Sequence, residues 1–160
     1  MPDEKHLTVT ITVDAPPRTV YEAVLDVRGW WSAALVGESR AVGDVFEFEV
    51  PGVHWSRHRV TEIVPGERVA WRTLDARMTF LDDEAEWAGT DIEFAISERA
   101  GRTELRFTHH GVTPGSECFD GCSDGWGFYI GTSLRELVTS GTGRPNGLPA
   151  EAALAEEAGR

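Results

Sequence analysis

The histidines and cysteines carry most of the reactive chemistry in this chain, and their spacing limits what they can do. His109 and His110 close one segment, and Cys118 and Cys122 follow at a separation of one helical turn. Thiolates and imidazoles are zinc ligands, but a structural zinc site ordinarily offers Cys-x2-Cys or a second paired set, and neither pattern occurs, so no metal is expected. Either thiol, as a nucleophile, would need a base and a group to orient that base, and His109 is the candidate. Against this stands a plain structural role for His109, as a polar residue satisfied at a cavity wall. His54, Ser56 and His58 alternate on one face of a strand with Val60. They line a cavity mouth or face solvent, because Trp55 on the opposite face also calls for burial. Asp82, Asp83, Glu84 and Glu86 form an acidic run without calcium-loop spacing, which reads as a solvated loop. With no glycine-rich phosphate loop, serine elbow or His-Glu-x-x-His helix, no cofactor is expected.

The elements that must position these groups follow from periodicity. Leu7, Val9, Ile11 and Val13 alternate with polar residues and predict an opening strand. Asp14 before Ala15-Pro16-Pro17, with Val20, Ala23, Val24 and Val27 at helical spacing, predicts a short helix over 16–27. Gly29-Trp30-Trp31-Ser32 ends it and sets two indoles at a loop. Phe46, Phe48 and Val50 mark a strand with one wet face. Pro51-Gly52 and Pro65-Gly66 read as turns around strands at Trp55–Val64 and Arg68–Leu74. Further strands are expected near Met78–Leu81 and Glu86–Ala88, and again at Asp91–Glu98 and Thr103–His110, the last two joined by Ala100-Gly101. Ile92, Phe94 and Ile96 then share an inward face with Leu105, Phe107 and His109. Beyond a small-residue connection, Gly111–Gly125, the spacing of Trp126, Ile130, Leu134, Leu137 and Val138 predicts the main amphipathic helix. The run from Gly141 to Gly147 stops it.

The bulk properties narrow the function classes. A chain of 160 residues suits one core. Its net charge of -12 repels nucleic acid and anionic lipid. No apolar stretch approaches a membrane span, and Met1–Lys5 lacks a signal-peptide layout, so the expectation is a cytoplasmic protein with no membrane insertion and two reduced thiols.

An antiparallel meander with one apolar face must cover that face, and only one sizeable helix is available, so the sheet should curl around it. The predicted fold class is therefore α+β. Rings crowd the predicted sheet–helix interface; they either fill the core or, being rigid on a curved sheet, leave a ligand-sized cavity. Trp71 within Arg68-Val69-Ala70-Trp71, the Thr90–Phe94 strand, the segment Thr103–Gly111, and Gly125-Trp126 leading to Ser133–Leu137 resemble the START-like (SRPBCC) superfamily. More narrowly, they resemble bacterial homologues of the C-terminal domain of the heat-shock-protein-90 ATPase activator. The resemblance covers roughly residues 6–143; the Gly- and polar-rich segment Gly115–Gly125 departs from it.

The resemblance implies the helix-grip fold over residues 1–143; the Ala/Glu-rich tail over 144–160 has little apolar periodicity and is expected to be flexible or loosely helical. It also implies a hydrophobic tunnel between sheet and C-terminal helix, of the kind that holds lipid-, polyketide- or flavonoid-like molecules. The cavity candidates are Trp30, Trp31, Phe46, Phe48, Trp71, Phe80, Phe94, Phe107, His109, Cys122, Trp126, Tyr129, Ile130 and Leu134. The expected partner is a small apolar molecule. Two other readings stay open: a co-chaperone-like domain that docks on a chaperone, and a cyclase- or hydrolase-type enzyme. The enzyme would use His109 with Tyr129 or Cys122 as acid and base.

Overall fold

Alternation of β-branched and polar residues produces the expected first strand, β1 (Leu7–Val13), with Leu7, Ile11 and Val13 buried. The computed structural model describes residues 6–146. Pro17 sits at the first position of α1 (Pro17–Leu25), where its missing N–H leaves no bond unmade. The helical run then breaks at Asp26 into a short α2 (Val27–Trp30), so Trp30 belongs to a helix rather than to a loop. A two-residue strand, β2 (Val36–Gly37), precedes β3 (Val45–Val50), β4 (His54–Val64), β5 (Arg68–Met78), β6 (Asp91–Arg99) and β7 (Arg102–His110). All seven strands pair antiparallel in the order β1-β7-β6-β5-β4-β3-β2.

β5 runs four residues past the expected end at Leu74, and the reason is a bulge. Arg57 pairs with Asp75 but His58 pairs with Thr73, leaving Leu74 extra. The extra residue resets the alternation, so Val69, Trp71 and Thr73 point inward before it, and Ala76 and Met78 after it. The strands expected near Met78–Leu81 and Glu86–Ala88 do not form beyond the end of β5. Residues 79–90 close on themselves in turns, as in Leu81 N–H to Met78 C=O at 3.1 Å and Ala88 N–H to Ala85 C=O at 2.9 Å.

The last helix is longer than expected. It begins with α3 (Phe119–Phe128), passes through a π-helical segment (Tyr129–Leu134) and ends in α4 (Arg135–Ser140). Its buried residues Cys122, Trp126, Ile130 and Leu134 recur every fourth position. On an α-helix of 3.6 residues per turn each such step drifts by about 40°. The wider π turns take up that drift and keep the row facing the sheet. Gly141, in the left-handed conformation at φ 89°, caps the end, its N–H bonded to Leu137 C=O.

The concave face of the sheet is filled by rings. Trp30, Trp31 and Trp71 lie within 13° of parallel to one another, and Phe94 meets both Trp30 and Trp71 edge-on. The indole N–H of Trp71 is the one sealed side-chain polar atom without a partner among the described residues. Behind the helix, Ser133 Oγ donates to Trp30 C=O and accepts from Arg144 N–H, both at 2.7 Å, and Asn146 pairs beside Trp31 and Ala33. The first three tail residues are thereby held, and the rest of the expected tail lies outside the described residues.

This clasp leaves no room for a side chain at Gly143, where a Cβ would sit 2.4 Å from Gly29 O and 2.9 Å from Ser133 O. Gly143→Ala should lose about 1–3 kcal/mol by overpacking. At Gly127, within α3, a Cβ meets nothing within 4 Å, so Gly127→Ala should gain up to about 1 kcal/mol of helix propensity. Urea unfolding of both variants checks the pair, and equal shifts would show that the clasp does not constrain Gly143.

Candidate functional site

Open space between sheet and helix survives at one end of the ring stack. There a pocket of about 200 Å³ lies between the start of α3 and the β3–β4 end of the sheet. One face of α3 supplies Gly121, Cys122, Gly125 and Trp126, with Tyr129 just beyond. The sheet supplies Phe48, Val50, His54 and Met78, while Val53, Phe80 and Trp87 come from the turns. Gly121 and Gly125, one turn apart, make the helical wall, and a Cβ at either would meet nothing within 4 Å. The space exists because a face that elsewhere carries large side chains here carries hydrogen atoms. A larger depression near Trp55 and Arg77 adjoins the pocket, sharing Val50, Val53 and His54 with it, and another lies beside Thr8 and Pro114; neither has a comparable set of rings.

Of the candidates read from sequence, Trp31, Phe48, Phe80, Cys122, Trp126 and Tyr129 line the pocket. Phe80 is 55% exposed and stands at its mouth. Trp30, Phe46, Trp71, Phe94, Phe107, His109, Ile130 and Leu134 do not line it; they are the filled core beside it. Most of the expected tunnel is thus occupied by the protein's own rings. Residues absent from the candidates are Val50, Val53, His54, Met78, Trp87, Gly121 and Gly125. The signal for His54 was its alternation with Ser56, His58 and Val60. Trp55, which obscured that register, is satisfied on the outer face by Glu47 at 3.0 Å and by the Arg57 guanidinium 5.2 Å from its ring.

His109 is inward, as expected, but both its nitrogens are engaged. Trp126 Nε1–H donates to Nδ1 at 3.2 Å, so the ring proton lies on Nε2 and is donated to Thr90 Oγ1 at 2.9 Å. Thr90 in turn donates to Trp87 C=O at 2.6 Å. An imidazole so held ties helix, sheet and loop together, and it has no free nitrogen to serve as acid or base. Burial raises the Tyr129 phenol above the ordinary value, partly offset by Asn146.

The expectation of two free thiols is corrected: Cys118 and Cys122 form a disulfide. Their Cα atoms, at the N-cap and one turn into α3, stand 5.5 Å apart, within reach of one S–S bond. Cys122 is therefore neither nucleophile nor thiolate ligand, and its sulfur accepts from Trp87 Nε1–H at 3.3 Å. Among the described residues no three His, Cys, Asp or Glu side chains converge as a metal site. The acidic run also has structural work to do. Glu86 accepts the N–H groups of Glu117 and Cys118 at 2.8 and 3.0 Å, and Glu117 accepts those of Asp82 and Asp83. These reciprocal bonds staple the 79–90 turns, and with them Trp87 and Phe80, to the start of α3.

Burial disfavours charge on the inward histidines. It pushes His54 down to about 4 and His109 to about 3, and holds His58 well below the ordinary value. The unfolded chain protonates all three near pH 6.5 while the native state does not, so the native state loses stability as pH falls below that point. Each fully buried histidine contributes a slope of about 1.4 kcal/mol per pH unit between its two pKa values. Urea midpoints measured from pH 7 to pH 5 should fall steeply, and a flat profile would contradict the buried neutral rings. Denatured, unreduced protein should take up no iodoacetamide, whereas after reduction it should take up two equivalents, one for each cysteine.

Known proteins share this architecture. The Aha1 dimer from Colwellia psychrerythraea matches with TM-score 0.69 and 23% identity, over 87% of this chain and 99% of that one. DynU16, a protein in the dynemicin biosynthetic locus, matches with TM-score 0.64 and 20% identity over 89% of this chain, which spans about half (49%) of DynU16. CalU16 from Micromonospora echinospora matches with TM-score 0.58 and 17% identity, over 95% and 82% of the two chains. At such identities the likeness is one of fold, and it agrees with a helix grip. No curated protein matches the chain significantly. The family model described as Activator of Hsp90 ATPase homolog 1-like protein matches residues 14–139. The sheet gripping its last helix and a match over most of its length agree, and the chain belongs to that family.

Proposed function

We propose that this protein binds a small, ring-sized apolar molecule in the pocket between the start of α3 and the sheet. The observation that carries the reading is the glycine-walled gap beside Trp31, Trp87 and Trp126, in an interface otherwise filled by rings. An engineered apolar cavity of about 150 Å³ holds a benzene. A pocket of about 200 Å³ therefore suits one or two rings, with any longer part emerging past Phe80. Extended lipids fit it less well, because pockets for drug-sized ligands run to about 300–1,000 Å³. Affinity comes from ring burial and orientation from His54. A cytoplasmic protein serving small-molecule metabolism fits this reading, and the setting of DynU16 in a biosynthetic locus points the same way. The catalytic alternative loses its acid/base centre with His109 engaged at both nitrogens. The co-chaperone alternative rests on the family description alone.

A ligand of ten heavy atoms at about -0.6 kcal/mol per atom should bind with a Kd of tens of micromolar. Titration of two-ring probes against tryptophan fluorescence should saturate in that range. Gly125→Leu, which places a side chain in the gap, should weaken binding at least tenfold while leaving the melting temperature equal or higher. Unchanged binding in that variant would contradict the site.

A further inference from the structure

His54 is not an isolated ring. Its Nε2 lies 3.1 Å from Ser56 Oγ, Ser56 Oγ lies 2.8 Å from His58 Nε2, and His58 Nδ1 lies 3.1 Å from Thr73 Oγ1. Ser56, His58 and Thr73 are fully buried, and the chain runs from the pocket wall into the core. A neutral imidazole carries one N–H and one lone-pair nitrogen, and a hydroxyl has one proton. Ser56 Oγ could accept from both rings, but it has no third partner among the described residues, so its own buried proton would then be orphaned. The favoured arrangements therefore have every link pointing the same way, and the chain reverses as a unit.

The buried end decides the direction. Among the described residues Thr73 Oγ1 has no hydrogen-bond partner other than His58 Nδ1, and the Thr73 backbone is pinned by Thr90 C=O and Gly89 N–H, both at 2.8 Å. If Thr73 donates to His58 Nδ1, then His58 Nε2–H donates to Ser56, Ser56 donates to His54 Nε2, and no buried proton is left over. In the reverse sense His58 Nδ1–H would donate to Thr73, whose own proton would then have no acceptor in the core. Orphaning a buried donor shifts such a balance by about 5- to 150-fold. With its Nε2 accepting, His54 carries its proton on Nδ1. That atom has no partner among the described residues and is not sealed in the interior.

We propose that the threonine-anchored chain Thr73-His58-Ser56-His54 fixes His54 as a hydrogen-bond donor to the pocket. The site then selects ring molecules carrying an acceptor, such as an aryl ketone or another carbonyl, over those carrying only a donor. The lining indoles agree, since an indole N–H can only donate. The indole N–H groups of Trp87 and Trp126 are already donated to Cys122 and His109, and that of Trp31 has no partner among the described residues and is likewise not sealed. A ligand N–H reaching His54 would meet the N–H already on Nδ1, whereas a carbonyl oxygen would accept it and complete the chain.

The proposal rests on ligand binding at this pocket, and two measurements separate the two claims. Imidazole ¹⁵N spectra of the ligand-free protein should show His54 protonated on Nδ1 and His58 on Nε2. Protonation of His58 on Nδ1 would overturn the assigned direction whether or not any ligand binds. In titrations, 1-indanone, an acceptor only, should bind at least about fivefold tighter than indole, a donor only. Ser56→Ala, which cuts the chain and frees His54 to take either tautomer, should bring that ratio to within about twofold. Equal affinities in the unaltered protein, or a ratio that Ser56→Ala leaves intact, would overturn the selectivity. Failure of both probes to bind would sink the binding function, with the tautomers still deciding the direction of the chain.

Discussion

Trp31 stands where the filled part of the interior meets the open part, and most of the remaining architecture depends on how its ring is held. On one side it lies parallel to Trp30 and Trp71, and on the other it stacks on Phe48 with centroids 4.2 Å apart, with Trp126 of α3 4.9 Å away. Its backbone is held from behind by Asn146. Rigid rings cannot flow into a gap as Leu or Met can, so where α3 offers glycines instead of side chains the gap stays open. The pocket is thus a consequence of rigid packing next to missing side chains rather than of a separate lining.

The polar groups obey the same economy. A buried imidazole is tolerable only if neutral and bonded at both nitrogens, and His58 and His109 each meet that condition through a different set of partners. His109 spends its bonds inside the protein and joins α3, β7 and the 79–90 turns. The chain through His58 instead ends at His54, on the pocket wall. Two similar residues on separate strands of one sheet, β4 and β7, therefore have opposite roles, set by where their hydrogen-bond chains terminate.

Much of the fold was legible because alternation and helical spacing report which face of an element is buried. The strand pairing, the inward direction of His109 and the final helix all follow from that signal. It failed where local geometry breaks the period. The bulge at Leu74 interrupts alternation and hid the end of β5. The four-residue spacing of Cys122, Trp126, Ile130 and Leu134 needs a π-helical segment that no residue pattern announced. Residues 79–90 resembled strands, but their N–H groups bond to turns and to the Glu117 carboxylate. The site was half legible. Rings mark an apolar interface, yet a ring that fills space and a ring that borders it have the same sequence signature. The glycines that make the difference read as linker.

The central claim is that the gap beside Gly121 and Gly125 is a binding site. The most direct test is to map backbone amide shifts as a two-ring ketone such as 1-indanone is added to ¹⁵N-labelled protein. Saturable changes concentrated at Val53, His54, Gly121, Gly125 and Trp126 are the predicted result. Changes confined to the exposed edge at Val36, Val42 and Val45, or no changes at all, would contradict it.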